Sequence, residues 1–379
     1  MNNDDLNAMI TSRIEKKIAK GYNDASSAIA RLKEEGAISV DYVHRVGSSR
    51  HGTLLPLMVF LATQSGVNVD LLKDDNSRIG QFGLTRHSLR QAAEKLGIPT
   101  AYLSSMALDT QNEWSRELAA HVLNEHSMWT EKQRVLVRTV GYNVRGILSD
   151  SYRRLNSLEI LLGHVDKVYE NGGMLSGGWI DETRIRIESF IPRPIVVETE
   201  KNGTVYLAFG MVFSTSDYGD GALEAKAFVT NGVCLNGIVH NSMLREIHLG
   251  SRLPDNLWLS EETYRLDTAT QRSAIMDVTN RMYNPEFIRQ KIAEVRNATE
   301  IVVDPERELR NLTGKLLKGE VEEVGKILMT GNPDLGVTGE STLWKLSQGI
   351  SAFANREAVA ERRRAELQEI AGEVFARKA

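Results

Sequence analysis

Apolar residues recur every three to four positions at both ends of this chain and every second position through much of its middle, so helical flanks enclose a β-rich centre. Ile10, Ile14 and Ile18 predict a helical leader, and Asp24 and Ser27 are candidate starts for a second short helix ending near Gly36. A strand is expected over 37–43, then a loop with Gly47, Ser48 and Ser49, then an apolar run over 54–62. Thr85 is placed to cap a helix whose inner face is Leu89, Ala92, Ala93 and Leu96, with Gly97 and Pro99 ending it. A further helix is predicted over 110–124, with Trp114, Leu118 and Val122 in register. Residues 156–171 read as an amphipathic helix (Leu158, Leu161, Leu162, Val165, Val168), and 179–190 alternates as a strand. Asn202-Gly203 between two extended runs is a strong hairpin signal, and a turn at 218–221 leads into 223–235. Helical spacing returns near His240, places His240 and His248 two turns apart, and dominates from Ser260; 356–378 is a charged amphipathic helix.

The fold class expected is α+β: a mostly antiparallel sheet with a three-stranded meander, flanked by N-terminal helices and a helical C-terminal region. It divides into a leader or accessory segment (1–80), an α+β core with basic strands (81–255) and a helical region (256–379). With 379 residues, 41 % of them hydrophobic, the chain can bury a large core. The absence of an 18-residue apolar run and of a basic-then-apolar leader points away from membranes and secretion, toward the cytoplasm. One cysteine, Cys234, excludes an internal disulfide framework and a thiolate-rich metal site.

Charge changes this picture. The chain carries a formal net charge of -4, yet between Arg134 and Arg154 five arginines stand against one acid, Asp150. Arg134 and Arg138 share one strand face while Val135 and Val137 take the other. Arg145, Arg153 and Arg154 follow, and Arg184 and Arg186 repeat the spacing on a later strand. Tyr142 and Tyr152 are interleaved as stacking platforms. Arginines on a sheet with nearby aromatics suit a phosphate backbone whose bases stack. Arg193, Lys226, Arg245, Arg252 and Arg265 are candidates to extend it. The plainer reading is a solubilising face, since Asp181, Glu182 and Glu188 stand close by in sequence and exposed ion pairs are worth only about 0–1 kcal/mol.

No catalytic constellation stands out. The sequence lacks a phosphate-cradling glycine loop and a Gly-x-Ser-x-Gly elbow, and no cofactor or metal is implied. A Cys234/His240 nucleophile competes with a small buried cysteine, which is the stronger reading. Asp150, Glu159 and Asp166 are the nearest set of acids for a metal-dependent hydrolase or nuclease. Residues 85–106 have the inward positions of a helix-turn-helix, but the second helix carries no Arg, Lys, Asn or Gln to read bases, so a structural helical hairpin is preferred.

Three stretches, LTRHSLRQAAEKLGIPTAYL, VRGILSDSYRRLNSL and STLWKLSQGISAFANREAVAERRRAELQEIAG, in this order and with their R-x-ILSD-x-Y core, resemble the phage/plasmid-like protein family. The resemblance runs from about residue 80 onward. It implies a mobile-element origin and the cytoplasm of a bacterial host cell, and brings no catalytic residues. A meander followed by a helix is also similar to the core of phage single-strand annealing proteins, a likeness of topology alone. The expectation is therefore a homo-oligomeric protein that binds nucleic acid, single-stranded DNA above all, and anneals it during recombination. The alternative is a self-assembling structural or interaction protein whose sheet and C-terminal helix (Ala365, Leu367, Ile370, Val374, Phe375) make subunit contacts.

Overall fold

The computed structural model describes residues 3–50, 53–129, 134–153, 155–231, 237–246, 248, 259–332 and 336–377. Over these the chain is α+β, with two mostly antiparallel sheets and a separate two-stranded hairpin. The leader is one continuous helix, α1 (Asn3–Ile38), where two were expected. Eight strands follow up to residue 149: β1 (Ser39–Arg45), β2 (Gly47–Arg50), β3 (Thr53–Pro56), β4 (Met58–Thr63), β5 (Gly66–Leu72), β6 (Arg78–Leu84), β7 (Arg134–Val140) and β8 (Asn143–Ser149). Six of them form the first sheet in the order β1-β7-β8-β6-β5-β4, antiparallel except for a short parallel contact between β6 and β8. The expected boundary at residue 80 falls inside β6, and residues 39–72 supply three strands of this sheet.

Helices α2 (Arg86–Lys95), α3 (Thr100–Ala107) and α4 (Glu113–Met128) interrupt the sheet between β6 and β7 and cover one of its faces. Thr85 caps α2 by accepting from the Ser88 amide. Gly97, at a φ of 69°, turns the chain into α3, and Leu89, Ala93, Leu96, Ile98 and Leu103 face the core, as a structural hairpin requires. α4 runs beside the sheet's outer strand. The Asn124 amide accepts from the Phe60 amide at 2.7 Å and donates to the Phe60 carbonyl at 2.8 Å, while Arg116 Nε donates to the Thr63 carbonyl at 2.7 Å. These bonds satisfy backbone groups that an open edge would leave for another strand.

Capped by Asn156, α5 (Ser157–Glu170) leads into the second sheet: β9 (Met174–Ile180), β10 (Ile185–Phe190), β11 (Ile195–Thr199), β12 (Gly203–Thr215), β13 (Leu223–Asn231) and β14 (Gly237–Glu246). Its order is β14-β13-β12-β10-β9, with β11 also on β12. The run over 179–190 is not one strand. Asp181 Oδ1 accepts from the amides of Thr183 and Arg184 at 2.8 and 2.9 Å and folds it into the β9–β10 hairpin. The segment around His240 is strand β14, not helix, so the meander has four strands.

Five more helices, α6 (Glu261–Met282), α7 (Pro285–Glu300), α8 (Pro305–Asn311), α9 (Lys318–Thr330) and α10 (Leu343–Ala354), precede the last, α11 (Glu361–Phe375). Val205, Leu207 and Phe209 meet α7 to α11 in one core, whereas Met211 and Phe213, further along β12, meet α1, α5 and α6 in another. Leu367, Ile370, Val374 and Phe375 of α11 pack in the first of these cores against Trp344, so the body of the protein covers the C-terminal stripe. α1 seats directly on β9: a Cβ at Gly21 would fall 2.3 Å from the Leu175 carbonyl carbon, and only glycine permits that approach.

Candidate functional site

Arg134, Arg138, Arg145, Arg153, Arg184 and Arg186 each have an acid or a carbonyl against them, and Arg245 and Arg265 pair with Glu224 and Glu262, while Arg193 is exposed. β7 and β8 alternate as expected: Val135 and Val137 face the core under α2 to α4, and Leu136 and Arg138 face the other way. That second face is not solvent. It packs toward the loop between β12 and β13, and this corrects the picture of an open basic surface. Arg138 is 8 % exposed and bonds Asp41, its register partner on β1, at 2.7 and 2.8 Å, with Nη1 on the Asp217 carbonyl at 2.7 Å. Burial works against its charge, but the two carboxylates outweigh burial and hold it protonated even more firmly than usual. Arg134 pairs with Asp150 at 3.0 Å. Arg145 pairs with Glu35 at 3.0 Å, reaches the Glu182 carbonyl and lies 4.7 Å from the centre of the Tyr218 ring.

Arg153 grips Asp267 and stands 3.5 Å from Glu246. Arg184 donates to the Asp220 carbonyl, and Arg186, 4 % exposed, bonds Glu188 and, at 2.7 Å, Gln368 of α11. Arg154 lies outside the described residues. Tyr152, expected to stack on bases, is buried. Its hydroxyl donates to the Ser216 carbonyl at 2.8 Å, and its ring stacks on His248 with centroids 5.2 Å apart. Tyr142 alone fits its assigned exposure, at 87 % on the β7–β8 turn.

The loop from Ser216 to Gly221 is the hub of this joint. The Tyr218 carbonyl accepts from His87 and Gln91 at 2.8 and 2.9 Å, and its hydroxyl donates to Glu35 at 2.7 Å. Burial raises the Asp217 carboxyl above the ordinary range despite Arg138 and the Ser157 hydroxyl. Glu35 ends below its ordinary value because hydrogen bonds from Arg31 and Tyr218 and the charge of Arg145 outweigh burial. Two cavities flank the loop. One of about 350 Å³ is bordered by Glu35, Arg138, Asn156, Asp217 and Tyr218. The other, of about 290 Å³, is bordered by Gln91, Lys95, Ser149, Tyr152, Gly219 and His248.

Of the enzymatic candidates, the acids Asp150, Glu159 and Asp166 each face another partner, and the Cys234/His240 pair is described only at His240. His240 sits on β14 with Nε2 3.6 Å from Glu294 and its ring edge-on to Phe375, and burial pulls it down to about 4. Cys234 lies outside the described residues. Asp150 is held by Arg134, Glu159 accepts from Asn156, and Asp166 is 3.8 Å from Arg272. Among the described residues no three His, Cys, Asp or Glu side chains are placed to share a metal ion, and no helix is long and apolar enough to cross a membrane.

One surface was missed. α4 was expected to use Trp114, Leu118 and Val122 as its register, but its buried side is Ser115, Arg116, Ala119, Ala120, Leu123 and Ser127. Trp114 (63 % exposed), Leu118 (40 %) and Trp129 (76 %) therefore line the opposite side with exposed His121 and Glu125. Tyr102 of the adjoining α3 is 67 % exposed. Glu113 and Glu117 are also exposed, whereas the one arginine of α4, Arg116, is buried against the Thr63 and Asp109 carbonyls. The signal lay in Ala119-Ala120-Leu123: small side chains let a helix approach a sheet, and tryptophan does not fit there. No family model, curated protein or solved structure matches this chain.

Proposed function

We propose that this protein is a self-assembling interaction component, the second of the two functions raised by its sequence. The observation that supports the reading is the stripe of two tryptophans and a leucine on α4, edged by Glu113, Glu117 and Glu125 with no exposed lysine or arginine on that helix. Aromatic residues fully open to water mark contact surfaces, and tryptophan is the residue most enriched among those that dominate binding energy. The acids make this face repel phosphate, so a protein fits it better than a nucleic acid strand. Arg86 and Arg90, one turn apart and exposed on α2, offer the complementary charge on the same chain. Guanidinium groups from one copy would lie over the tryptophans of the next and beside its glutamates. Such a contact joins two different patches, so it propagates into a ring or filament. The likeness to phage and plasmid proteins supports a mobile-element setting. The nucleic-acid reading, by contrast, is weakened because Arg134, Arg138, Arg145, Arg153 and Arg186 are paired with acids within the fold.

Light scattering on a gel-filtration column tests this over a range of protein concentrations, with a labelled single-stranded oligonucleotide at two salt concentrations and a duplex control. Concentration-dependent assembly that ignores DNA is expected, and Trp114→Ala with Trp129→Ala should weaken it by roughly 10-fold or more. A monomer at every concentration overturns the proposal. Salt-sensitive preference for the single strand, without self-association, would restore the nucleic-acid reading.

A further inference from the structure

The smaller cavity beside the loop has the makings of a ligand site separate from the α4 stripe. Its walls are the apolar side chains of Ile147 and Leu148, the Tyr152 ring and the turn at Gly219, where a Cβ would collide with Leu148 at 2.6 Å. His248 borders it, 3 % exposed, and neither Nδ1 nor Nε2 has a hydrogen-bond partner among the described residues. An imidazole removed from water with both nitrogens unpaired is costly, and such a group calls for an occupant. Burial keeps the ring neutral, pulling it down to about 4, so it offers one donor and one acceptor. The other inner polar groups, Ser149 and the amide of Gln91, are neutral too. Among the described lining residues charge appears only on Lys95, half-exposed, and Glu94, exposed; Arg138 and Arg153 act on His248 from outside the lining and are each committed to a carboxylate.

This layout selects the ligand. A carboxylate or phosphate deep inside would meet, among the described residues, only cations already paired with carboxylates, and desolvation works against it. A neutral, planar head with donor and acceptor atoms suits the aromatic and apolar walls and the unpaired imidazole, and an anionic tail suits Lys95. At about 290 Å³ the space takes a ligand from the small end of the usual range. We propose that this cavity binds a nucleotide, with the base inside against Tyr152 and His248 and the phosphate at the mouth on Lys95. The base belongs either to a free mononucleotide or to a strand that presents one unstacked base.

Calorimetric titration of the full chain at pH 7.5 with AMP, GMP, CMP and UMP in turn, and with the matching nucleosides, tests this. At least one nucleotide should bind saturably at micromolar to millimolar concentration, more tightly than its nucleoside, and should raise the melting temperature. His248→Phe keeps the stacked ring but removes both nitrogens; it should leave the melting temperature equal or higher and weaken binding at least 10-fold. Lys95→Glu, at the rim, should abolish the advantage of nucleotide over nucleoside, and it decides the matter if His248→Phe fails to fold. Competition by a short single-stranded oligonucleotide at equal base concentration would show a strand's base as the occupant, and no competition a free nucleotide; either supports the site. The proposal is overturned if no mononucleotide binds at 10 mM, on the order of the weakest affinity a built site would show, or if His248→Phe binds as the wild type does.

Discussion

Helix α4 and strands β7 and β8 follow one another in the chain, and they sort their charged and aromatic side chains in opposite directions. On β7 and β8 the arginines turn into the joint between the two sheets, where Asp41, Asp150 and Glu35 meet them at 3.0 Å or less. On α4 the tryptophans turn out to solvent while small residues face the sheet. A dense run of arginines is a binding surface only if its counter-charges lie outside the protein. Here β1 and α1, distant in sequence, supply Asp41 and Glu35, the residue after β8 supplies Asp150, and the run becomes part of the fastening of one layer to the other. Among the described residues the exposed aromatic stripe has no such internal partner.

The largest effect should come from the fastening. Arg138→Ala leaves Asp41 facing the half-buried Asp217 without a cation, and breaking a buried pair from one side costs roughly 3–5 kcal/mol, to be read from a urea unfolding curve. A loss under about 1 kcal/mol would mean that this guanidinium is solvated after all and would return β7 to the surface. Acid should act next. Burial holds His164 near 3 and His248 near 4, against 6.5 for a free imidazole. Below pH 6.5 the unfolded chain takes up protons that the folded chain refuses. Stability is therefore intact above that pH and is lost toward pH 4, at about 1.4 kcal/mol per pH unit for each ring. Asp217 has the opposite sign, because acid relieves the burial of its charge. Urea midpoints at pH 7.5, 6 and 5 measure the sum, to which His240, held near 4 by burial, also contributes; a flat profile in Asp217→Asn would show that the rings take up protons inside the fold. The smallest effect belongs to Tyr142, which lies in the same stretch yet faces water. Tyr142→Ala should move stability by no more than about 0.5 kcal/mol, and a larger loss would give its ring a partner inside the protein.

Features that neighbouring residues decide were legible in the sequence. The Thr85 cap, the Asn156–Asn171 helix and the Asn202-Gly203 hairpin all stand where expected, with Gly203 at a φ of 68°. Elements decided by packing were not. GIVHNSMLRE over 237–246 has no clear period of its own and becomes a strand because β13 offers it an edge. Gly21 reads as a helix breaker, yet contact with β9 keeps α1 whole. The arginine site failed for a related reason: a window of sequence counts its own charges, whereas Arg138 meets an acid 97 residues away and Arg153 one 114 residues away. The unpaired nitrogens of His248 left no trace in sequence, because a cavity is made by the elements around it.

The seat of Gly21 on β9 also has a consequence in time. Lys20 reaches the Gly178 carbonyl across 158 residues of chain, so α1 leaves the ribosome long before the strand it lies along. At about 5–20 residues per second that interval is roughly 8–30 s. Throughout it Ala25, Ala28 and Leu32 are without the β10 and β12 residues that later cover them. Closing so long a loop carries an entropic cost and makes docking of α1 a slow, non-local event. The nascent chain thus presents an amphipathic helix to solvent before its sheet exists, the kind of segment that chaperones shield.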